Sequence, residues 1–445
     1  MEIEIIAVGG YDEVGRNMTA VRCGKDIVIF DMGLRLDQLM IHEDAEVDEM
    51  HSLDLIKIRA IPDDTVLQKV EGAVKAIVCS HGHLDHIGAI PKLAHRYKAP
   101  IISTPYATEL IRQQIEGEKK FGVANRLVPL RAGQKFTISP TLVLEFVRTQ
   151  HSIIDTVTPV LHTPHGAVVY ACDFKFDRTP VIGEPPDFAR MRQIGKEGVL
   201  ALIVESTYIH RPGRCPSERI ARDLVRDVIT SFEDDKNGIV VSTFSSHISR
   251  LKTIAECAHE IGRKPVFLGR SMEKYSVTAE QMKFVSFAKT ASVYGNRKTV
   301  DRMMRQMMKD GKDKYLPIVT GHQGEPGSTL TRIALGETPF QIAKGDKVIF
   351  SANIIPNPMN VGSRYALTHR LKFAGARVFE DLHVSGHAYR EDHYEFLQIL
   401  NPQHIIPAHA DITMTAGYAE FAGELGYTAN STVHPVKNGS RVRVH

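Results

Sequence analysis

Residues 78–88 read Val78-Cys79-Ser80-His81-Gly82-His83-Leu84-Asp85-His86-Ile87-Gly88, and they place four ligand-type side chains within six positions, directly after an apolar run typical of a strand. Imidazole nitrogens and carboxylate oxygens suit Zn²⁺ or Mn²⁺, and a loop at a strand end can direct several of them at one point. A single histidine is more often a surface or core residue than a ligand. The clustered HxHxDH spacing instead predicts a metal site.

Other ligand-type residues stand where further predicted strands stop. His151, Asp173 and His409 each come directly after a β-type run. Because open α/β sheets place their sites at strand ends, this agreement is informative. Two sets of three ligands can be assembled, with Asp173 as a bridge: His81, His83 and His151 for one metal, and Asp85, His86 and His409 for the other. Two metals ~3.5–4 Å apart lower the pKa of a shared water and neutralise charge on a phosphoryl group, so the set predicts phosphodiester hydrolysis.

Asp31 also closes a β-type run, at residues 27–30. Its carboxylate could orient a ligating histidine through a hydrogen bond to the ring nitrogen that does not face the metal. The alternative is a simple turn cap before Gly33, because aspartate is common at such turns.

Composition bounds the class of protein. The 445 residues are 43% hydrophobic and 24% charged, which is ordinary globular usage and excludes a disordered chain. The length predicts ~2–3 domains. The net charge of +3 is small, so any phosphate-binding surface must be local. One candidate is the stretch 289–314, with eight lysines and arginines against three aspartates, although a solvated helix face explains that stretch equally well.

The cysteine pattern and the apolar runs predict a soluble cytoplasmic protein. The five cysteines are scattered without a CxxC pair, which is typical of reduced thiols. The N-terminus looks like a first strand rather than a secretory signal. No apolar stretch approaches the ~20 residues that a membrane-spanning helix needs, so we expect no membrane association.

The order of predicted elements indicates an α/β class. Short β-rich runs with few helices dominate up to Glu205, and after it the chain repeats strand, loop and helix, which predicts a parallel sheet with crossover helices. The last predicted strand ends at His409. We expect the acidic insertion at residues 41–64 to be a solvated loop without an assigned role.

The motifs then point to a family. The HxHxDH cluster, the start Gly9-Gly10-Tyr11-Asp12-Glu13-Val14-Gly15-Arg16-Asn17 and the downstream His151, Asp173 and His409 resemble the metallo-β-lactamase fold, in particular its β-CASP nucleases. The resemblance implies an αββα sandwich interrupted by a β-CASP domain with a parallel α/β sheet. The implied limits are 1–208 and 363–445 for the lactamase domain and 209–362 for the β-CASP domain.

Within that group the chain looks like ribonuclease J over almost its full length. The stretches that carry this resemblance begin at Cys172, Thr243, Gly321 and His383. The sequence ends at His445, soon after His409, so we expect the archaeal type, without the extra C-terminal domain of bacterial members. The resemblance implies two Zn²⁺ per chain, with Mn²⁺ or Mg²⁺ as alternative activating metals. A homodimer is also implied.

The resemblance also implies roles for residues outside the metal set. Glu205, His387 and His409 match the acidic and histidine motifs of β-CASP proteins. His387 would stabilise the transition state or donate a proton to the leaving oxygen, and both roles stay open. Glu205, if it pairs with a metal-ligating histidine, would fix that ring and raise its basicity, and the alternative is a helix or turn cap. Asp85 would act in catalysis as well as binding. A nucleotide phosphate would be held by Ser245, Ser246, His247, His383, Val384, Ser385, Gly386 and His387.

Such a phosphate pocket predicts a processive 5′-to-3′ exoribonuclease that acts on single-stranded RNA with a 5′-monophosphate. The closest alternative is a β-CASP endonuclease of mRNA 3′-end processing or DNA repair. A hydrolase of small substrates is disfavoured, because a small substrate does not need the long insertion between Glu205 and His387. A noncatalytic RNA-binding module is disfavoured because every predicted ligand is present.

Overall fold

The computed structural model describes residues 2–41, 50–118, 120–355 and 358–445. They form two compact units, the first made of Met1–Arg178, Pro185–Cys215 and Gly386–His445 and the second of Thr179–Glu184 and Pro216–Ser385. A search of these residues finds no helix with the length and apolar character that crossing a bilayer requires.

The strands, in chain order, are β1 (Ile3–Gly9), β2 (Met18–Cys23), β3 (Asp26–Phe30), β4 (Ala73–Val78), β5 (Ile101–Ser103), β6 (Leu127–Pro129), β7 (Lys135–Ser139), β8 (Leu142–Arg148), β9 (Val157–Thr163), β10 (Gly166–Ala171), β11 (Val199–Glu205), β12 (Ile239–Ser242), β13 (Lys264–Leu268), β14 (Ser292–Tyr294), β15 (Tyr315–Val319), β16 (Lys347–Phe350), β17 (Arg377–Phe379), β18 (His404–Ala408) and β19 (Arg441–Val444).

The α-helices are α1 (Leu36–Ile41), α2 (Ser52–Lys57), α3 (Leu84–Ile87), α4 (Ile90–Leu93), α5 (Pro105–Gly117), α6 (Phe188–Glu197), α7 (Glu218–Thr230), α8 (Ile248–Glu260), α9 (Arg270–Gln281), α10 (Arg297–Asp310), α11 (Thr329–Ala334), α12 (Pro358–Phe373), α13 (Arg390–Leu400) and α14 (Ile412–Glu424). Short 3₁₀ helices span Asp64–Lys69, Ala94–Arg96 and Lys312–Lys314.

Two mixed sheets face each other in the first unit. Their strand orders are β19-β1-β2-β3-β4-β5-β6 and β18-β11-β10-β9-β8-β7. One continuous apolar core fills the space between them, and in it Phe30 of β3 stacks on Tyr170 of β10 with ring centroids 5.0 Å apart. Helices α6, α13 and α14 cover the outer face of the second sheet, and α5 packs on β5 and β6 of the first. The expected αββα architecture is confirmed.

The sandwich core should dominate the stability of this unit. Phe146 is fully buried between the two sheets. We expect Phe146→Ala to lower the free energy of unfolding by about 3–5 kcal/mol, because it removes buried apolar surface and leaves a cavity. Chemical denaturation followed by circular dichroism measures this change. Phe373→Ala is the control, since Phe373 is 97% exposed and its loss should stay within about 0.5 kcal/mol.

The parallel pairing of β3 with β4, and of β10 with β11 and β18, sends their carboxyl ends to a common edge within each sheet. Strand β8 runs antiparallel to β9, which runs antiparallel to β10, so β8 also ends on that edge of the second sheet. The loops after these strands carry the predicted ligands.

The second unit contains an all-parallel sheet, as predicted, in the order β14-β13-β15-β12-β16-β17. Its interior combines Val240, Val319 and Phe350 with the apolar faces of α10, α11 and α12. The unit continues to Ser385, beyond the predicted limit at 362, because β17 adds to the sheet edge beside β16.

Two expectations are wrong. The chain does not end its strands at His409, because β19 pairs antiparallel with β1 and Arg441 forms an ion pair with Glu4. The insertion at 41–64 is not simply a solvated loop. Residues 42–49 lie outside the described part of the chain, but α2 follows them, and Leu55 and Ile61 are buried against the rest of the unit. Their apolar side chains explain why this part packs.

Candidate metal centre

The first predicted ligand set meets at the end of β4. His81 and His83 come from the loop before α3, and His151 comes from the loop after β8. The Nε2 atoms of His81 and His151 each lie 3.1 Å from Nδ1 of His83. Donor atoms of these three residues and of Asp173 all lie within 4.8 Å of one another. The structure therefore brings the first set together.

The second predicted set meets beside it. His86 Nε2 lies 3.6 Å from Asp85 Oδ2, and His409 Nε2 lies 3.8 Å from the same oxygen. Donor atoms of Asp85, His86, Asp173 and His409 again lie within 4.8 Å of one another. Asp85 is the most open of the four, with its side chain 30% exposed.

Asp173 belongs to both sets. Its Oδ2 lies 3.4 Å from His151 Nε2 and 3.1 Å from His86 Nε2. Its Oδ1 is buried and has no hydrogen-bond partner among the described residues. A buried carboxylate oxygen left without a partner costs free energy, and a cation would supply that partner. The donor set and this orphaned oxygen together fit divalent metal binding.

The backbone at three of these positions adopts the left-handed conformation, which side chains other than glycine rarely take. Asp31, Asp173 and His409 have φ angles of 59°, 70° and 51°. Asp31 and His409 directly follow β3 and β18, and Asp173 comes one residue after the end of β10, so the left-handed turn redirects each side chain from the sheet toward the cluster. Such strain persists only where surrounding contacts enforce it.

The second ring nitrogens of the histidines are held by hydrogen bonds. Asp31 Oδ2 lies 2.7 Å from His86 Nδ1, which is the contact that the predicted orienting role requires. Ser80 Oγ lies 3.0 Å from His81 Nδ1 and also donates to Asp31. These partners set the ring orientation and the tautomer that leaves the other nitrogen free to ligate.

Two further partners were not predicted. The Gly386 carbonyl lies 2.7 Å from His151 Nδ1, and Asn17 Oδ1 lies 2.8 Å from His409 Nδ1. The backbone carbonyl has no sequence signal. Asn17 is the last residue of the Gly9–Asn17 motif, and its membership of that motif was the one available hint that it lies near the metal centre.

Asn17 should matter for metal affinity although it is not itself in either ligand set. We expect Asn17→Ala to weaken metal binding by about 10–100-fold, because His409 loses the acceptor that orients its ring. Competition with a chromophoric chelator measures the affinity. Asn125→Ala is a control in the same unit, since Asn125 bonds only the carbonyls of Tyr97 and Ala99, away from the cluster. An unchanged affinity in Asn17→Ala would contradict the orienting role.

Electrostatics also prepares the cluster for a cation. Burial lowers the pKa of His83 to about 4 and that of His81 and His151 well below the usual range, so these rings are neutral donors at neutral pH. Burial alone would raise the pKa of Asp173, but His409 and His86 hold it well below its usual value. Burial opposes protonation of His86, yet the surrounding carboxylates, led by Asp173, raise its pKa well above the usual value, and a metal must displace that proton.

Glu205 and His387 form a separate pair next to Asp173. Glu205 Oε2 lies 2.6 Å from His387 Nδ1, and Glu205 Oε1 accepts the Phe174 backbone N–H. Glu205 ends β11 and is directed at His387 rather than at a histidine of the two predicted sets, and donor atoms of Glu205, His387 and Asp173 lie within 4.8 Å of one another. Burial would lower the pKa of His387, but Glu205 and Asp173 raise it to about 9. His387 is therefore cationic at neutral pH.

The predicted phosphate-binding residues divide between the units. Ser245, Ser246 and His247 lie between β12 and α8 in the second unit, where the His247 and His383 rings are 6.2 Å apart. Val384 and Ser385 also belong to this unit, whereas Gly386 and His387 belong to the first. At Gly386 a Cβ atom would lie 2.7 Å from Ser152 Cβ, so a side chain does not fit there.

Three stretches match known family descriptions. Residues 236–364 match "Ribonuclease J, beta-CASP domain", residues 376–432 match "Zn-dependent metallo-hydrolase RNA specificity domain", and residues 67–190 match "Metallo-beta-lactamase superfamily". Together they cover parts of both units and all seven predicted ligands.

Whole-chain relatives agree with these matches. The chain is 52% identical over 439 residues to a ribonuclease J of Methanocaldococcus jannaschii, with 99% of this chain and 98% of that one covered. It is 45% identical to a ribonuclease J of Pyrococcus abyssi, covering 99% and 97%. A crystal structure of a protein of unknown function from Enterococcus faecalis V583 matches the whole fold, with a TM-score of 0.66 at 17% identity and 100% of both chains covered.

Proposed function

This chain belongs to the ribonuclease J family of metallo-β-lactamase, β-CASP nucleases, and on that premise we propose that it degrades single-stranded RNA processively from the 5′ end, preferring a 5′-monophosphate. Its class as a metal-dependent hydrolase of RNA follows from the family. The observation that carries the proposal is the convergence of two complete donor sets on Asp173. We also propose a cytoplasmic homodimer.

Two Zn²⁺ ions per chain are the proposed cofactors, with Mn²⁺ or Mg²⁺ as alternative activating metals. His81, His83 and His151 would hold one ion, Asp85, His86 and His409 the other, and Asp173 would contact both. When bound, the ions supply Lewis acidity that activates water and neutralises charge on the phosphoryl group. Asp31, through His86, would keep the second set in orientation.

His387 is the proposed proton donor to the leaving oxygen. It is the cationic side chain beside Asp173, and its ring centroid lies 4.9 Å from that of His151 and 5.8 Å from that of His409. Glu205 holds Nδ1, so Nε2 carries the proton that can be transferred. The same positive charge would stabilise the transition state, so the two roles differ in their dependence on the leaving group.

The second unit would bind the 5′-phosphate through Ser245, Ser246, His247, His383, Val384 and Ser385, with Gly386 and His387 continuing the same loop. Ser245 and Ser246 precede α8, whose amino terminus carries a partial positive charge. Hydroxyl and imidazole groups add donors for a dianionic phosphate.

The test uses RNA labelled at its 3′ end and carrying a 5′-monophosphate, 5′-triphosphate or 5′-hydroxyl. Wild type and His83→Ala are compared with zinc and with manganese. We expect stepwise shortening of the 5′-monophosphate RNA by the wild type and none by His83→Ala. Internal cuts that ignore the 5′ group would support an endonuclease instead, and absence of RNA cleavage with either metal would overturn the proposal.

A further inference from the structure

Arg250 is fully buried although its charge is permanent. Its Nε and Nη2 donate to the two carboxylate oxygens of Glu218, at 2.7 and 2.8 Å. This bidentate ion pair provides hydrogen-bond acceptors for one side of the guanidinium. Burying a charge lowers the stability of the fold unless its hydrogen-bond donors are paired. The contacts on the other side of the guanidinium therefore indicate the role of Arg250.

The remaining nitrogen of Arg250 reaches the segment that precedes the phosphate loop. Nη1 donates to the Leu382 carbonyl at 3.0 Å and to Ser351 Oγ at 2.7 Å. Ser351 Oγ in turn donates to the Leu382 carbonyl at 2.9 Å. One guanidinium therefore ties α7, α8 and the end of β16 to the start of this loop.

Both histidines of the proposed phosphate pocket contact this ion pair. Arg250 Nη1 lies 3.3 Å from His383 Nδ1, and Glu218 Oε2 lies 3.3 Å from His247 Nε2. Because a guanidinium can only donate, this contact favours the neutral tautomer of His383 in which Nδ1 accepts and Nε2 carries the proton. Glu218 Oε2 can accept a hydrogen bond from His247 Nε2. The ion pair thereby sets the orientation of both rings.

We propose that Arg250 and Glu218 are positioning residues that preorganise His383 and His247 for a 5′-terminal phosphate. This inference rests on the proposed 5′-end preference and extends it to residues that do not touch the phosphate. The ion pair acts before substrate arrives, so its loss should reduce discrimination between 5′ ends rather than the hydrolytic step itself.

The test compares Arg250→Lys with Arg263→Lys. A lysine at 250 retains a charge for Glu218 but cannot also reach Leu382 and His383. Arg263 is equally buried in the same unit and bonds the carbonyls of Asn237 and Asp235 at the opposite end of the strands. Ser351→Ala is a milder second variant that leaves no charge unpaired. Each is assayed on 5′-monophosphate RNA, 5′-hydroxyl RNA and bis(p-nitrophenyl) phosphate, which has no 5′ end.

We expect Arg250→Lys to reduce the ratio of kcat/KM for 5′-monophosphate over 5′-hydroxyl RNA by about tenfold, and Ser351→Ala to reduce it less. Hydrolysis of the small diester should stay at the wild-type rate, and Arg263→Lys should leave the ratio unchanged. An unchanged ratio in both Arg250→Lys and Ser351→Ala overturns the positioning role. A wild type that does not discriminate between the ends overturns the end preference itself, and this role with it.

A second, independent observation concerns α10. Lys298, Arg302, Arg305 and Lys309 follow one another at helical spacing, lie on one face and are exposed. None of them forms an ion pair with a carboxylate in the part of the chain that the structure describes. The acids of the helix are engaged elsewhere, since Asp301 pairs with Arg332 and Asp310 accepts from Tyr315. The face is therefore uncompensated positive charge.

We infer that this face of α10 binds the phosphate backbone of single-stranded RNA. A row of flexible, unpaired cations attracts a polyanion without reading its sequence, and its contribution falls as salt rises. Because each phosphate that the face contacts adds to this attraction, its effect should grow with substrate length.

The test compares two triple variants with the same change in charge. One is Arg302→Gln, Arg305→Gln and Lys309→Gln, and the other is Arg222→Gln, Arg226→Gln and Lys252→Gln, whose cations are already ion-paired. We expect the first triple variant to raise KM for a long RNA by about tenfold and to leave cleavage of a trinucleotide unchanged. The slope of log KM against the logarithm of salt concentration should become smaller by about two, because three phosphate-binding charges are lost. Equal effects of the two triple variants would overturn the inference. A wild-type KM in the first triple variant would also overturn it and would favour an anionic protein as the partner of this face.

Discussion

An Asp173→Asn variant should cleave 5′-monophosphate RNA at least about a thousandfold more slowly than the wild type. Asp173 belongs to both ligand sets, and its Oδ1 faces His409 while its Oδ2 faces His151. An amide offers one oxygen and no charge, so it cannot serve both sets. Single-turnover assays measure the rate, and inductively coupled plasma mass spectrometry measures metal per chain, which should fall with activity.

Asp155→Asn is the matched control for that variant. Asp155 lies in the same unit, has a left-handed backbone with φ 61°, and accepts a hydrogen bond from the Tyr106 backbone N–H, but it belongs to neither ligand set. The same chemical change there should preserve metal content and activity. If Asp173→Asn kept both metal and rate, the shared-carboxylate arrangement would be refuted.

His387→Ala should lower kcat on RNA by about 10²–10⁴-fold while metal content stays at the wild-type level, because we propose His387 as the proton donor and it is not a member of the two ligand sets. Glu205→Gln should produce a smaller loss of the same kind, since the ring keeps its place but loses the carboxylate that raises its pKa to about 9. Stopped-flow cleavage of a fluorescent RNA measures kcat and KM separately.

The leaving group separates proton donation from charge stabilisation. The p-nitrophenolate released from bis(p-nitrophenyl) phosphate needs no proton, so a general acid contributes little to its departure. We expect the loss in His387→Ala on this diester to stay below about tenfold, far less than on RNA. Equal losses on both substrates would assign His387 to transition-state charge stabilisation alone.

Local spacing was enough to identify the donors of the cluster. His81, His83, Asp85 and His86 lie within one loop, so their neighbourhood depends only on a strand that ends before them. His151, Asp173 and His409 were found by the same logic, since the strands that precede them all end on one edge of the second sheet. Asp31 followed from the strand beside β4. The helix-on-sheet layers likewise followed from short apolar runs alternating with helical segments.

Tertiary structure alone decided which partners these donors have. Glu205 meets His387 across 182 residues and Arg250 meets Leu382 across 132, and no periodicity encodes such pairs. Every residue of any chain has a backbone carbonyl, so the contact between the Gly386 carbonyl and His151 has no signature in the sequence. Hydrophobic periodicity assigns a side chain to a face of its helix or strand. A hydrogen bond requires that donor and acceptor be placed to within a few tenths of an ångström, and only the packed sheets and their loops establish that placement. The sequence by itself determined the donor chemistry and the layers that hold it, and the fold determined orientation, tautomer and charge.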